Sequence, residues 1–373
     1  MDGALRNLSV ADFSRVLAGP FATMMLGDLG ATVVKVERPG TGDETRTWGP
    51  PYDPAGAATY FEAVNRNKRS IVLDLHSDPD LAQARALALS SDILVENFRP
   101  GLMDSLGLGY ETLREHHPGL IYCSITGFGA GAPQLPGYDL LVQALGGLMS
   151  VTGAPDGPPY KVGVALVDVL TGLFALAGIL AAVHHRSQTG EGQRVEVDLL
   201  SSLLAALVNQ AAAFTAGGVV PTRMGNRHPS IAPYEVLACA DGDLVIAVGN
   251  DRQFAILCDA IGAHALAHDP RFATNPDRVA HRDALIDALE SALRTAPAAE
   301  WSTRLRQARV PAGVVNDIGE AFAFASAIGL EPIVELTRAD GSHVRLPRNP
   351  IRLSGTPATY RSAPPALGSR TAD

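Results

Sequence analysis

The sequence predicts an α/β protein, a parallel sheet with helices on its faces, carrying a smaller inserted domain. Three observations lead there. In the first half, short apolar runs rich in β-branched residues alternate with helical runs. Between Asp139 and Gly217 the chain turns to helices rich in Ala and Leu. After that, two apolar runs close around an Asp-Gly pair, which is the pattern of an antiparallel hairpin.

The elements follow in order. LSVADFS is a short apolar strand. Gly19-Pro20 opens a helix, because proline fits a first turn where its missing N–H is not needed. FATMMLGDLG carries that helix to Gly30, placed as its C-cap. TVVKVER is the second strand and RSIVLDL the third; DPDLAQARALALSS is a helix and DILVENF a strand. A second helical region after Pro100 leads into the strand LIYCSIT. One apolar helix begins after Asp168 and ends near Thr189-Gly190; another spans LLSSLLAALVNQAAAFTA. Both are apolar on most sides, so burial is expected. YEVLACADGDLVIAV is the first hairpin. DRQFAILCDAIG and the region 281–309 read as amphipathic helices, and IVELTRADGSHVRLP as a second hairpin. The polar, Pro-rich tail from Pro357 is expected to run extended over the surface. The domain assignment is 1–221 with 333–373 for the larger domain and 222–332 for the smaller one.

Composition narrows the partners. With 373 residues, 46% of them apolar, the chain can bury two cores. A net charge of −9 argues against nucleic acid or an anionic membrane surface as the main partner. Cys123, Cys239 and Cys258 form no CxxC and leave one unpaired, which fits a reducing cytoplasm. The N-terminus shows no basic segment followed by an apolar core, so no signal peptide is expected. The best candidate for a membrane span, KVGVALVDVLTGLFALAGILAAV, is divided by Asp168 and falls short of about 20 uninterrupted apolar residues.

That lone acid is the first candidate for chemistry. A carboxylate among apolar residues is costly unless something compensates it. As a helix N-cap, Asp168 would accept a backbone N–H, and the positive helix end would keep it ionised. An ionised, desolvated carboxylate is also a usable nucleophile. Gly163 and Gly172 flank it and would let a bulky substrate approach the backbone. Arg15, Arg38, Asn67-Lys68-Arg69 and Arg99 lie at strand ends and in loops; they either gather phosphates there or are ordinary solvated charge. Asn226, Arg227 and His228, in GNRHPSIAPY, form either a rigid carboxylate-binding loop or an interdomain turn. Gly127–Ala132 fits a relaxed GxGxxA, but Pro133 and Pro136 follow, so a loop is expected. His116-His117 and His184-His185 are adjacent pairs, and His264 and His268 have no acidic third ligand nearby, so no metal site is expected.

As a set, LAGPFATMMLGDLGATVVKVERPGTGDETR, NRNKRSIVLDL, VENFRPGLMDSLGLGYETL, TGFGAGAPQLPGYDLL, DVLTGLFALAGILAAV, TGEGQRVEVDLLSS and DGDLVIAVGNDRQF resemble the family III CoA-transferases, in that family's order and over nearly the whole chain. The resemblance implies a Rossmann-like large domain and a small α+β domain in a ring-shaped monomer, two rings interlocking as a homodimer. It makes Asp168 the catalytic nucleophile. CoA-contacting positions carry over to Arg15, Val16, Leu17, Ala18, Arg38, Leu73, Asn97, Phe98 and Arg99, with Tyr138 and Asp139, and more loosely to His76 and Met103. Asn226, Arg227 and His228 would bind the second substrate.

The implied reaction passes CoA from one carboxylic acid to another through anhydride and aspartyl-CoA intermediates. Acyl-CoA is a substrate, and no tightly bound cofactor is implied. Backbone N–H groups at the helix start would hold the developing oxyanion. Gly137-Tyr138-Asp139 stands where the family's racemases resemble GHD; the missing histidine favours transfer, with a racemase-like epimerase or a non-catalytic acyl-CoA-binding protein as alternatives. The absence of a run of consecutive glycines argues against formyl-CoA/oxalate chemistry. GNRHPSIAPY and GNDRQF look most like the dicarboxylate branch, with succinyl-CoA as donor. Near the end, Gly368-Ser369-Arg370-Thr371 departs from the usual GxHT.

Overall fold

Residues 3–369 are described by a computed structural model. Among them six strands form one parallel sheet: β1 (Ser9–Asp12), β2 (Thr32–Glu37), β3 (Lys68–Val72), β4 (Ile93–Glu96), β5 (Ile121–Thr126) and β6 (Arg194–Asp198). Their order across the sheet is β3-β2-β1-β4-β5-β6. Each central strand is buried on both faces, as parallel strands covered by helices must be. Val10, Ile93, Val95, Ile121 and Cys123 pack on one side; their neighbours Ala11, Leu94 and Tyr122 pack on the other.

Helices α1 (Ala18–Asp28), α2 (Thr59–Glu62), α3 (Asp78–Ser90), α4 (Leu102–Ser105), α5 (Tyr110–Arg114), α6 (Asp139–Leu145), α7 (Leu166–Thr189), α8 (Leu199–Ala206) and α9 (Val208–Thr215) belong to the same unit. The first face is covered by α1, α7 and α8, the second by α3 and α5. By length and composition α7 could cross a membrane. Here Ala175, Leu176, Ile179 and Ala182 bury it in the core over the sheet. Gly172 lies against α1, where an added Cβ would come 2.7 Å from the Ala18 carbonyl oxygen. It therefore permits close helix packing, and it is not the substrate approach expected from sequence. Around Gly163 the space is open.

Three further expectations are corrected. Residues 194–198 form the sixth strand, where the sequence suggested only helices; the strand is short and enters α8 directly. The helix expected over LLSSLLAALVNQAAAFTA breaks in two, with Val208 left-handed (φ 42°) at the junction. Its second half is not buried: Val208 and Phe214 are exposed. The tail does run extended, but it is tied down. Arg361 donates to the carbonyls of Gly27, Gly30 and Ala31, the open end of α1. Of the atypical ending, Arg370 and Thr371 lie outside the described residues.

The chain divides into two units, Met1–Leu148 with Lys161–Val220 and Glu331–Asp373, and Met149–Tyr160 with Pro221–Leu330. The expected boundary shifts by one excursion. Residues 149–160 join the second unit, because Gly225 N–H donates to Gly153 O (3.0 Å) and Arg223 to Ala154 O (3.3 Å). That unit holds a three-stranded sheet, β7 (Tyr234–Ala238), β8 (Asp243–Ala247) and β9 (Ala312–Val314), in order β7-β8-β9. Helices α10 (Asp251–Ala260), α11 (Asn275–Ala280), α12 (Arg282–Leu293), α13 (Ala298–Gln307) and α14 (Ile318–Ala327) accompany it. The second expected hairpin, β10 (Ile333–Thr337) and β11 (His343–Pro347), belongs to the first unit.

Candidate active site

The sheet order reverses between β1 and β4, so their carboxyl ends open a crevice, the usual ligand site of such folds. The loop after β1 enters it under strain: Val16 is left-handed (φ 69°), costing a β-branched residue about 1–3 kcal/mol. Neighbours compensate. Asn97, following β4, clamps the Arg15 backbone from both sides, accepting from its N–H (2.8 Å) and donating to its carbonyl (2.7 Å). Val16 N–H leans on Asp43 (3.3 Å). Burial alone would raise Asp43, but Lys35 at 2.9 Å and the contacts from Thr45 outweigh it and hold the carboxyl below its usual range.

Two clefts meet at this loop. The first, about 490 Å³, is lined by Arg15, Val16, Leu17, Ala18, Asn97, Phe98, Arg99, Tyr138 and Asp139, with Asp168 in its wall. The second, about 440 Å³, is lined by Arg38, Leu73 and His76, and shares Arg15 and Phe98 with the first. The Arg15 guanidinium lies 5.1 Å from the Phe98 ring centre and pairs with Glu44 at 2.6 Å. Arg15 Nε and Glu44 Oε2 are buried without partners, so this junction carries unused hydrogen-bonding capacity.

Other predicted positions lie elsewhere. Met103 is buried in the core and borders a separate cavity of about 270 Å³ that also touches Arg99. Lys68 and Asn67 are internal: Lys68 binds Asp12 (3.0 Å), Asn65 and Pro20 O, and Asn67 binds Asp28. They serve the fold, not phosphates. Asn226, Arg227 and His228 lie in the second unit. There Arg227 pairs with Glu235 (3.4 Å) and Asp283 (3.0 Å), and His228 meets the edge of Tyr234. A carboxylate substrate at Arg227 would compete with those partners.

Asp168 differs from its expected N-cap role. The N-cap of α7 is Ala165, and Asp168 is the third helical residue. The capping acceptor comes from α6: Asp139 Oδ1 accepts from the N–H groups of Val167 (2.8 Å) and Asp168 (3.3 Å). Leu166 and Val169 donate to Val164 O and Ala165 O. The first four N–H groups of α7 are thus taken, which removes them as the expected oxyanion donors. Asp168 itself is half-buried. Burial first, then the Asp139 carboxylate, push its carboxyl up to about 7. The helix end was expected to keep the acid charged; a second anion sits on that end instead.

Sequence reasoning missed the supporting cast. Gln143, fully buried on α6, donates to Asp139 Oδ2 (2.6 Å) and accepts from Val162 N–H (2.9 Å). Tyr60 on α2 stacks edge-on with Trp48, ring centres 5.3 Å apart. Burial, then Asp168, Asp139 and Asp43, push its phenol up to about 12, so it stays neutral. Nothing in the spacing of Trp48, Tyr60 or Gln143 marks them; a polar residue four positions after Asp139 on α6 was the one available hint.

Two clefts that share Arg15 and Phe98 at a sheet switch point, one with Asp168 in its wall, define an α/β enzyme with room for an extended ligand. The match to CoA-transferase family III spans residues 5–371, and the chain belongs to that family. It is similar to the succinate–glutarate CoA-transferase of Agrobacterium fabrum, at 43% identity over 99% of this chain and 94% of that one. It is likewise similar to the acetyl-CoA:oxalate CoA-transferase of Acetobacter aceti, at 44% identity over 95% and 90%. The crystal structure of a CAIB/BAIF family protein from Brucella suis superposes with a TM-score of 0.87 at 41% identity, covering 99% and 97%.

Proposed function

We propose that this chain moves CoA from succinyl-CoA to a dicarboxylic acid of the glutarate kind, with Asp168 as the nucleophile. The observation that carries the reading is the position of Asp168 at the wall of a cleft that shares Arg15 and Phe98 with a second one. CoA is long enough to use both. Its nucleotide end would lie by Arg38, Leu73 and His76, and its thioester by Asp168. The relative from Agrobacterium fabrum supports the substrate pair.

In this scheme the Asp168 carboxylate attacks the donor thioester carbonyl, the C–S bond breaks, and CoA leaves as thiolate. The thiolate then attacks the aspartyl carbonyl of the mixed anhydride, forming aspartyl-CoA and releasing the donor acid. The acceptor carboxylate attacks that thioester, expelling thiolate again. Thiolate takes the acceptor acyl group and frees Asp168. One thioester is exchanged for another, so no net proton, electron or phosphate is consumed. Water would hydrolyse each anhydride, which makes exclusion of solvent part of the catalysis.

Asn226, Arg227 and His228 are the proposed acceptor ligands. The ring-shaped, interlocked homodimer is proposed with them. It is supported by the exposed apolar side chains Leu204, Val208, Phe214, Val219 and Val220. A cytoplasmic location is proposed on the three free, buried cysteines.

The test is a panel of acyl-CoA donors against glutarate, mesaconate and oxalate, read by mass spectrometry. Oxalate belongs in it because the Acetobacter aceti relative is named for it, even though this chain has no glycine run. Succinyl-CoA with a C5 dicarboxylate is expected to give product. Asp168→Ala should lose exchange of labelled CoA entirely while keeping the fold; turnover retained in that variant would sink the nucleophile. Deuterium washing into the α-carbon of a 2-methylacyl-CoA would point to a racemase instead.

A further inference from the structure

We propose that Asp139, locked by Gln143, is a positioning residue that seats the first turn of α7 and places a fixed negative charge beside Asp168. The inference deepens the nucleophile reading above and rests on it for its catalytic meaning.

The geometry is over-determined. Gln143 is fully buried, and its Oε1 takes the Val162 N–H, so its amide group must turn to Asp139 Oδ2 as a donor. With Oδ2 held, Oδ1 faces the start of α7 and accepts from Val167 and Asp168. Both oxygens of Asp139 are therefore acceptors of N–H groups, the arrangement of a fixed anion. That anion occupies the end of the helix dipole that would otherwise favour a charged Asp168.

The other charged groups lining the cleft are Arg15, Glu44 and Arg99. Tyr60, on α2, stays neutral. Burial is the larger force against ionisation of Asp168, and among these charges Asp139 is the one that adds to it. A carboxylate made more basic in this way is a stronger nucleophile toward a thioester once ionised.

Two measurements test this. In the first, the pH dependence of kcat/KM is compared between the wild-type enzyme and Asp139→Asn. The acid limb is expected near pH 7 in the wild type and about one unit or more lower in the variant. Asp139→Glu, which keeps the charge, should keep the limb near 7. If Asp139→Asn fails to fold, Asp139→Ser still offers an acceptor to the helix start and should show the same downward shift.

The second measurement needs no turnover. The stability gained by Asp168→Asn at pH 8 over pH 5 is measured by chemical denaturation in the wild-type and Asp139→Asn (or Asp139→Ser) backgrounds. The gain should shrink when Asp139 is neutral. An unmoved acid limb, or an unchanged stability gain, means that Asp139 merely caps the helix and overturns the proposal. A moved titration beside an Asp168→Ala enzyme that still turns over would leave this inference standing and remove the nucleophile.

Discussion

Asp168 is visible in the sequence as the only ionisable side chain between Lys161 and Val183. Its backbone N–H is held by Asp139, 29 positions away, which no local pattern connects to it. The consequence is a pH-dependent cost. In the unfolded chain the group ionises near 3.8, and in the folded chain near 7. Between those values the native state holds a proton that the unfolded state has released, so the contribution of Asp168 to stability falls as pH rises from about 4 to about 7. The full difference is at most about 4 kcal/mol, less where water reaches the cleft. Asp168→Asn is therefore expected to melt higher than the wild type at pH 8 and to match it near pH 4. Coincident melting curves across that range would contradict the upward shift. A site residue that destabilises its own fold is a recognised cost of function.

Helices and strands were legible where their pattern is local. Pro20, Gly30 and the Asp-Gly turns mark ends that the structure keeps: Gly30 follows the C-cap Leu29 with φ 114°, and β7 and β8 pair antiparallel. The misses have physical causes. β6 is short, and its place as an edge strand is decided by pairing with β5, from Tyr122–Arg194 to Thr126–Asp198. The apolar face of α9 read as core because hydropathy cannot tell a core from a face left for another surface. Gly172 read as substrate access because a glycine says only that space is scarce or the backbone unusual. Gly172→Ala should destabilise the protein: overpacking against the Ala18 carbonyl costs about 1–3 kcal/mol, against about 1 kcal/mol from better helix propensity. A carbonyl in a helix cannot rotate away, so the loss should prevail. Gly163→Ala, in open space, is the control and should leave the melting temperature nearly unchanged.

At the scale of the molecule, the larger unit presents Leu204, Val208, Phe214, Val219 and Val220 to solvent within one continuous stretch of chain. A second copy is the proposed cover. Phe214→Glu, which puts a charge where the ring is exposed, should shift the assembly toward monomer in sedimentation velocity. A wild-type protein that already sediments as a monomer would remove the proposal. What the amino-acid order determined by itself was the alternation of strands and helices, the isolated acid and the family. These are carried by period, turn chemistry and runs of matching residues, all readable along the chain. Only the tertiary structure decided that Asp139 rather than Asp168 caps α7, that Lys68 is internal while Arg15 faces two clefts, and that Tyr60 and Gln143 attend the site. Those are relations between residues far apart in sequence. Burial and charge act through space, so the ionisation of a carboxyl is a property of its surroundings, which exist only once the chain has folded.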